Sequence, residues 1–122
     1  MGALIYEIYP TAIGTFNDIT KLIPQIAENI GPDFIWLSPC FESPWEDGGY
    51  DVSDYYEVNS RFGTMADFNK LVATAREFNI GILLDLVLHH TSNQHRWFRE
   101  AEKGNPDFVD YYLWSNKPRR WD

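Results

Sequence analysis

Gly81-Ile-Leu-Leu-Asp-Leu-Val-Leu-His-His90 constrains the fold more than any other stretch of this chain. Seven of its first eight residues are apolar or glycine, Asp85 stands in their midst, and two histidines close it. A continuous Leu/Val run that follows a helical pattern reads as a strand over 80–88, in a parallel sheet buried on both faces. An ionised carboxylate inside such a strand needs a partner, because an unpaired charge in an apolar interior is costly. Polar groups at the carboxyl end of a parallel strand sit where α/β folds place ligands. Asp85 and His90 are therefore the first candidate functional residues.

The rest of the chain repeats the same alternation. Residues 4–9 form a β-prone run ended by Pro10, and 11–17 read as a turn region around Gly14. Ile19, Leu22, Ile23, Ile26, Ala27 and Ile30 make a helical stripe. Pro24 is tolerated at a first helical position, so the regular helix is expected to start there, with 18–23 as a turn leading in. Gly31 and Pro32 stop it. Phe34-Ile-Trp-Leu37 is the second strand. A long connection, 40–63, follows, rich in Gly, Pro, Asp and Tyr, and connections of that length are commonly functional. Thr64-Met-Ala-Asp67 has the form of a capping box before a helix whose buried stripe is Phe68, Leu71, Val72, Ala75 and Phe78, closed by Asn79 in the left-handed conformation. Thr91 or Ser92 is expected to cap a last helix carrying Trp97, Phe98 and Ala101, stopped at Gly104-Asn-Pro106. The order β-α-β-loop-α-β-α calls for parallel strands with right-handed crossovers.

With 122 residues, 44% of them hydrophobic, the chain can build one packed domain. Its net charge of -8 and lack of a basic run argue against nucleic acid and anionic membrane as partners. The N-terminus shows neither a basic leader nor a long apolar segment, so no signal peptide and no membrane span are expected. A single cysteine, Cys40, excludes an internal disulfide framework and fits a reducing, cytoplasmic setting. Aromatics reach 16%; core packing explains most of them, and platforms for a sugar ring are the sharper alternative.

Within Gly48-Gly-Tyr-Asp-Val-Ser-Asp-Tyr-Tyr56, Tyr50 beside Asp51 offers a stacking face next to a hydroxyl acceptor, as a pyranose requires. A turn in which Asp51 and Asp54 bond nearby amides explains the same residues. Asp85 with Asp51 or Asp54 could serve as a carboxylate pair for glycoside chemistry, and nothing in the spacing proves that they face each other. His89 and His90, adjacent in a strand, are expected to point to opposite faces, and His95 falls in helix, so no metal site is expected. No phosphate loop, dinucleotide fingerprint or nucleophile elbow is present.

Seven segments together resemble the α-amylase family of glycoside hydrolases, in its α-glucosidase and oligo-1,6-glucosidase branch. They are Ile5-Tyr-Glu-Ile-Tyr-Pro10, Phe34-Ile-Trp-Leu-Ser-Pro39, Ser43-Pro44, Gly49-Tyr-Asp-Val-Ser-Asp-Tyr-Tyr56, Phe62-Gly-Thr-Met65, Asp85-Leu-Val-Leu-His-His-Thr-Ser92 and His95-Arg-Trp-Phe98. Asp110-Tyr-Tyr-Leu-Trp114 resembles the opening of that branch's second domain. The resemblance implies the N-terminal part of a (β/α)8 TIM barrel, about three β/α units over residues 1–105, with 106–122 beginning the inserted second domain. It implies retaining cleavage of α-glucosidic bonds in short oligosaccharides bearing a non-reducing-end glucose, with no cofactor. By matching position Tyr50 would stack on the sugar, Asp51 would bind hydroxyls of the terminal glucose, Asp85 would hold the arginine that orients the nucleophile, and His90 would contact the primary hydroxyl.

Two departures concern metal. The family carries Asn where this chain has His89, a poor ligand for calcium. The segment Thr11-Ala-Ile-Gly-Thr-Phe-Asn-Asp18 has too few carboxylates for the branch's metal loop, so calcium is expected at neither place. The largest departure is the number of strands. Three cannot close a barrel, and the family's nucleophile, general acid and third carboxylate sit on later strands whose motifs do not occur here. The chain alone is expected to be catalytically inert and to need the remainder of the barrel, or another chain, to complete the fold. A noncatalytic carbohydrate-binding protein or truncated relic, and a transglycosylase or sucrose-active relative, are the alternatives.

Overall fold

The computed structural model describes residues 2–116. Its frame is a parallel sheet of β1 (Ile5–Ile8), β2 (Phe34–Leu37) and β5 (Gly81–Leu84), in the order β1-β2-β5. The register aligns Tyr6 with Ile35 and Ile82, and Ile8 with Leu37 and Leu84. Period-two alternation sends these rows to one face and the intervening row, Glu7, Trp36 and Leu83, to the other. The first face packs on helices α2 (Phe16–Asn29) and α3 (Met65–Glu77). Ile8, Ile35 and Leu37 from the sheet meet Phe16, Ile19, Ile23 and Ile26 from α2 and Leu71 and Ala75 from α3 in one buried cluster. Each fully buried large apolar side chain there stabilises by about 1.5–3 kcal/mol relative to exposure.

Helix α2 begins before Pro24, not at it. Thr15 caps it, accepting from the Asp18 N–H (3.3 Å), while the Asp18 carboxylate accepts from the Thr15 N–H (2.9 Å). Pro24 sits in the interior and removes one helical hydrogen bond. The cost, about 3 kcal/mol, is outweighed by the buried stripe of Phe16, Ile19, Ile23 and Ile26 on both sides of it. The expected turn over 11–17 is largely helical too: a short α1 (Pro10–Ile13) uses Pro10 at its first turn. Gly31 takes φ 62° and donates to the Ile26 carbonyl (3.1 Å), as the stop signal required. Thr64 and Asp67 form the second capping box, and Asn79 is left-handed at φ 58°.

The connection 40–63 is partly regular. Within it β3 (Phe41–Glu42) pairs antiparallel with β4 (Asp54–Val58), with an irregularity between Phe41 and Glu42. Strand β5 stops at Leu84 instead of running to 88, and it is not covered on both faces. Leu86 is 62% and Leu88 82% exposed, because no strand of the described residues pairs beyond β5. Helix α4 (Arg96–Glu102) is capped by His95, not by Thr91 or Ser92. Ser92 instead accepts from the Gln94 N–H (3.1 Å) in the turn before it. A 3₁₀ turn, Val109–Tyr111, and Tyr112 and Trp114 pack on Trp97 and Phe98. Residues 117–122 of the expected second-domain opening lie outside the described residues.

Candidate active site

Three polar segments converge past the carboxyl ends of the parallel strands. Asp85, one residue beyond β5, accepts from the Trp36 indole N–H (2.9 Å) with Oδ1 and from the Tyr50 hydroxyl (3.1 Å) with Oδ2. The carboxylate expected to need partners has them, and they come from β2 and from the 40–63 connection. Trp36 shares its row with Glu7, which places Glu7 on the same side of the sheet as Asp85. The charge of Glu7 and a hydrogen bond to it, followed by burial and the charge of Asp85, push the Tyr9 phenol above its usual pKa. Burial, then the bond to Asp85 and its charge, do the same for Tyr50. Two phenols thus stay protonated donors beside two carboxylates. Burial also pushes the Cys40 thiol up to about 11, with the Asp85 charge adding to it.

Asp51 takes the turn role. It is buried, and its Oδ1 accepts from the Ser43 hydroxyl (2.8 Å) and the Asp47 N–H (3.1 Å), while Oδ2 accepts from the Glu46 N–H (2.8 Å). Burial alone would raise its pKa, but these bonds outweigh burial and hold the carboxyl below its usual value. The turn it ties is tight. Gly49 has φ 96°, and a Cβ there would lie 2.7 Å from the Trp45 ring and 3.1 Å from the Pro39 carbonyl oxygen. Trp45 itself is left-handed at φ 66°, braced by Phe62 and by the Arg61 guanidinium 4.5 Å above its ring. The result is a rigid loop presenting Tyr50 and Asp47. Asp54 accepts locally from the Tyr56 N–H (2.8 Å), so neither Asp51 nor Asp54 pairs with Asp85.

His90 stands at the mouth of the same region, its Nε2 3.7 Å from the Asp47 carboxylate. His89 lies beside it, with the two Nδ1 atoms 3.3 Å apart. The expectation of opposite faces fails because β5 has already ended, so strand alternation no longer governs 89 and 90. Next to them an apolar cleft of about 400 Å³ is lined by Phe41, Tyr55, Leu86, Leu88 and Trp97. Sequence reasoning missed Asp47, Trp36, Glu7 and Tyr9. The alternation of Glu7 and Trp36 with Ile8 and Leu37 was a usable signal; nothing local marked Asp47.

Calcium does not suit the donors present. The Asp18 carboxylate is engaged by the Thr15 N–H and hydroxyl (2.9 and 2.8 Å), and His89 offers an imidazole where a hard cation needs oxygen.

Parallel strands backed by helices on one face, with polar side chains gathered beyond their carboxyl ends, define part of a (β/α) barrel. Residues 7–122 match the alpha-amylase family, described as "Alpha amylase, catalytic domain", and the chain belongs to that family. It is 41% identical to a probable alpha-glucosidase of Rhizobium meliloti over 98% of this chain and 24% of that protein. It is 38% identical to an oligo-1,6-glucosidase of Bacillus cereus, again over 98% of this chain and 24% of that protein. The crystal structure of Bacillus licheniformis trehalose-6-phosphate hydrolase superposes with a TM-score of 0.87 at 39% identity, covering 95% of this chain and 22% of that one. The chain thus spans about a quarter of the length of the relatives it matches, and its fold is the N-terminal part of a (β/α)8 TIM barrel.

Proposed function

We propose that these residues form half of the glucose subsite of a retaining glycoside hydrolase that cleaves α-glucosidic bonds of short oligosaccharides. The observation that carries this reading is the convergence of Asp85, Tyr50, Asp47 and His90 at the carboxyl ends of the strands, in a chain of the alpha-amylase family. Tyr50, 41% exposed, supplies the stacking face. Asp85 offers a carboxylate that Trp36 and Tyr50 hold in place for the arginine orienting the nucleophile. His90 meets the primary hydroxyl of the terminal glucose. Asp51 acts through the loop it ties, and the exposed Asp47 is the hydroxyl acceptor that the turn leaves open. Residues 106–122 belong, on the same reading, to the start of a second domain, and the setting is cytoplasmic, in keeping with the lone thiol of Cys40.

The nucleophile and general acid come from strands beyond these three, so the 122-residue chain alone releases no glucose from maltose or isomaltose. Measurable release by the pure chain overturns that. The enzymatic reading is tested by the coding sequence past codon 122. A frame continuing into a strand with Gly-x-Arg-x-Asp supports it; a stop codon leaves a noncatalytic protein. In the longer product, Asp85→Asn should lower kcat/KM for an α-glucoside by at least about 100-fold.

A further inference from the structure

The geometry points to Tyr55 as a positioning residue of the glucose subsite, a role that rests on the reading of His90 given above. Its hydroxyl holds the backbone of residues 87–90 and so sets where His90 stands, without touching the sugar. Strand pairing cannot place that imidazole, because β5 ends at Leu84. The segment is anchored at both ends: the Asp85 N–H donates to the Leu37 carbonyl (3.3 Å) and the Ser92 N–H to the Val52 carbonyl (2.8 Å). Between these anchors the Tyr55 hydroxyl donates to the Val87 carbonyl and, at 3.4 Å, to the His90 carbonyl. One proton shared between two carbonyls of one segment gathers it around the bend at His89. The His90 imidazole then reaches the Asp47 carboxylate at 3.7 Å.

Tyr55 is itself firmly held. It alternates along β4 with Tyr56, which is 81% exposed, so the Tyr55 ring turns inward. There it stacks on Trp97 (5.8 Å between ring centroids, planes 29° apart) and meets Phe41 edge-on (5.7 Å). The buried His95 packs against it at 5.6 Å. A tyrosine has only two side-chain torsions to fix, so three ring contacts immobilise it at small entropic cost. Burial, and then the charge of Tyr112, push its phenol above the usual pKa, so the hydroxyl stays a donor. That hydrogen is committed to the two carbonyls, which separates Tyr55 from Tyr50, whose exposed ring is open to the sugar. Thr91 adds a second hold on the same segment, its hydroxyl 2.8 Å from that of Tyr112.

Tyr55→Phe removes one oxygen and leaves the ring contacts in place. In the 122-residue chain, NMR order parameters of the 86–90 backbone should fall from about 0.85 toward about 0.6, with those of β2 unchanged. Cross peaks between the His90 ring and residue 47 should be lost. Tyr56→Phe, on the same strand, should change neither. Unchanged order parameters at 86–90 in Tyr55→Phe overturn the assignment. Should that variant fail to fold, the unaltered chain decides: its Tyr55 ring protons must show cross peaks to Val87 and His90, and their absence overturns the assignment too. In the longer product, Tyr55→Phe should lower kcat/KM for an α-glucoside about fivefold, the effect of one hydrogen bond, and add nothing in a His90→Ala background. An additive loss there overturns the positioning role and leaves the subsite reading intact. No loss from His90→Ala itself overturns the subsite reading and, with it, the part Tyr55 plays in it.

Discussion

At the scale of a residue, His95 shows most clearly how local chemistry and burial combine. It caps α4 through Nδ1, packs against the mutually stacked rings of Tyr55 and Trp97, and carries its proton on a buried Nε2 that meets no partner among the described residues. Burial lowers its pKa from 6.5, against a smaller opposing pull from the charge of Asp54. Folded His95 is therefore neutral where the unfolded chain would bind a proton. The stability it contributes is complete above 6.5 and is lost as pH falls from there through the lower folded value. Protonation would also set an N–H on Nδ1 against the Trp97 N–H it now accepts. The urea midpoint should fall between about pH 7.5 and about pH 5.5, and His95→Asn, which keeps a capping side chain, should flatten that fall. An equal slope in both proteins would contradict the assignment.

At the scale of elements, the two capping boxes do more than start two helices. The Asn17 side chain donates to Asp67 Oδ1 (2.8 Å), and the Phe16 N–H donates to the Phe62 carbonyl (2.7 Å). The N-terminus of α2 is thus tied to the N-terminus of α3 and to the loop before it. Thr64→Ala should cost about 1 kcal/mol in urea unfolding, the usual loss of a cap. Asp67→Ala should cost more than Thr64→Ala, because it removes the box and the link to Asn17 together. A double-mutant cycle with Asn17→Ala separates the two contributions; zero coupling would mean the helices are joined by their apolar faces alone.

At the scale of the molecule, the apolar surface is unevenly covered. One face of the sheet is closed by α2 and α3, whereas Leu84, Leu86 and Leu88 remain open around the β5 edge. An unpaired strand edge beside exposed leucines favours association. The isolated chain should bind a hydrophobic dye and sediment with a concentration-dependent mass, and Leu86→Glu with Leu88→Glu should reduce both. A single monomeric species at all concentrations, with no dye bound, would show the edge to be protected.

The sequence by itself determined the parts whose physics is short-ranged. Apolar runs located the three parallel strands, Thr64 with Asp67 announced a capping box, Asn79 closed α3 in the left-handed conformation, and the matched motifs identified the family. That Asp85 needs partners was legible because a carboxylate interrupts an apolar run, although the strand ends at Leu84 and not at 88. Partnership between distant segments was not legible. Trp36 and Tyr50 reach Asp85 across 49 and 35 residues, and no local period encodes those bonds. Tertiary packing likewise carried α2 through Pro24, drew Asp51 into its own turn and left Asp47 open beside His90. It also ended β5 before the histidines, and that early end, by releasing them from strand alternation, brought their nitrogens face to face.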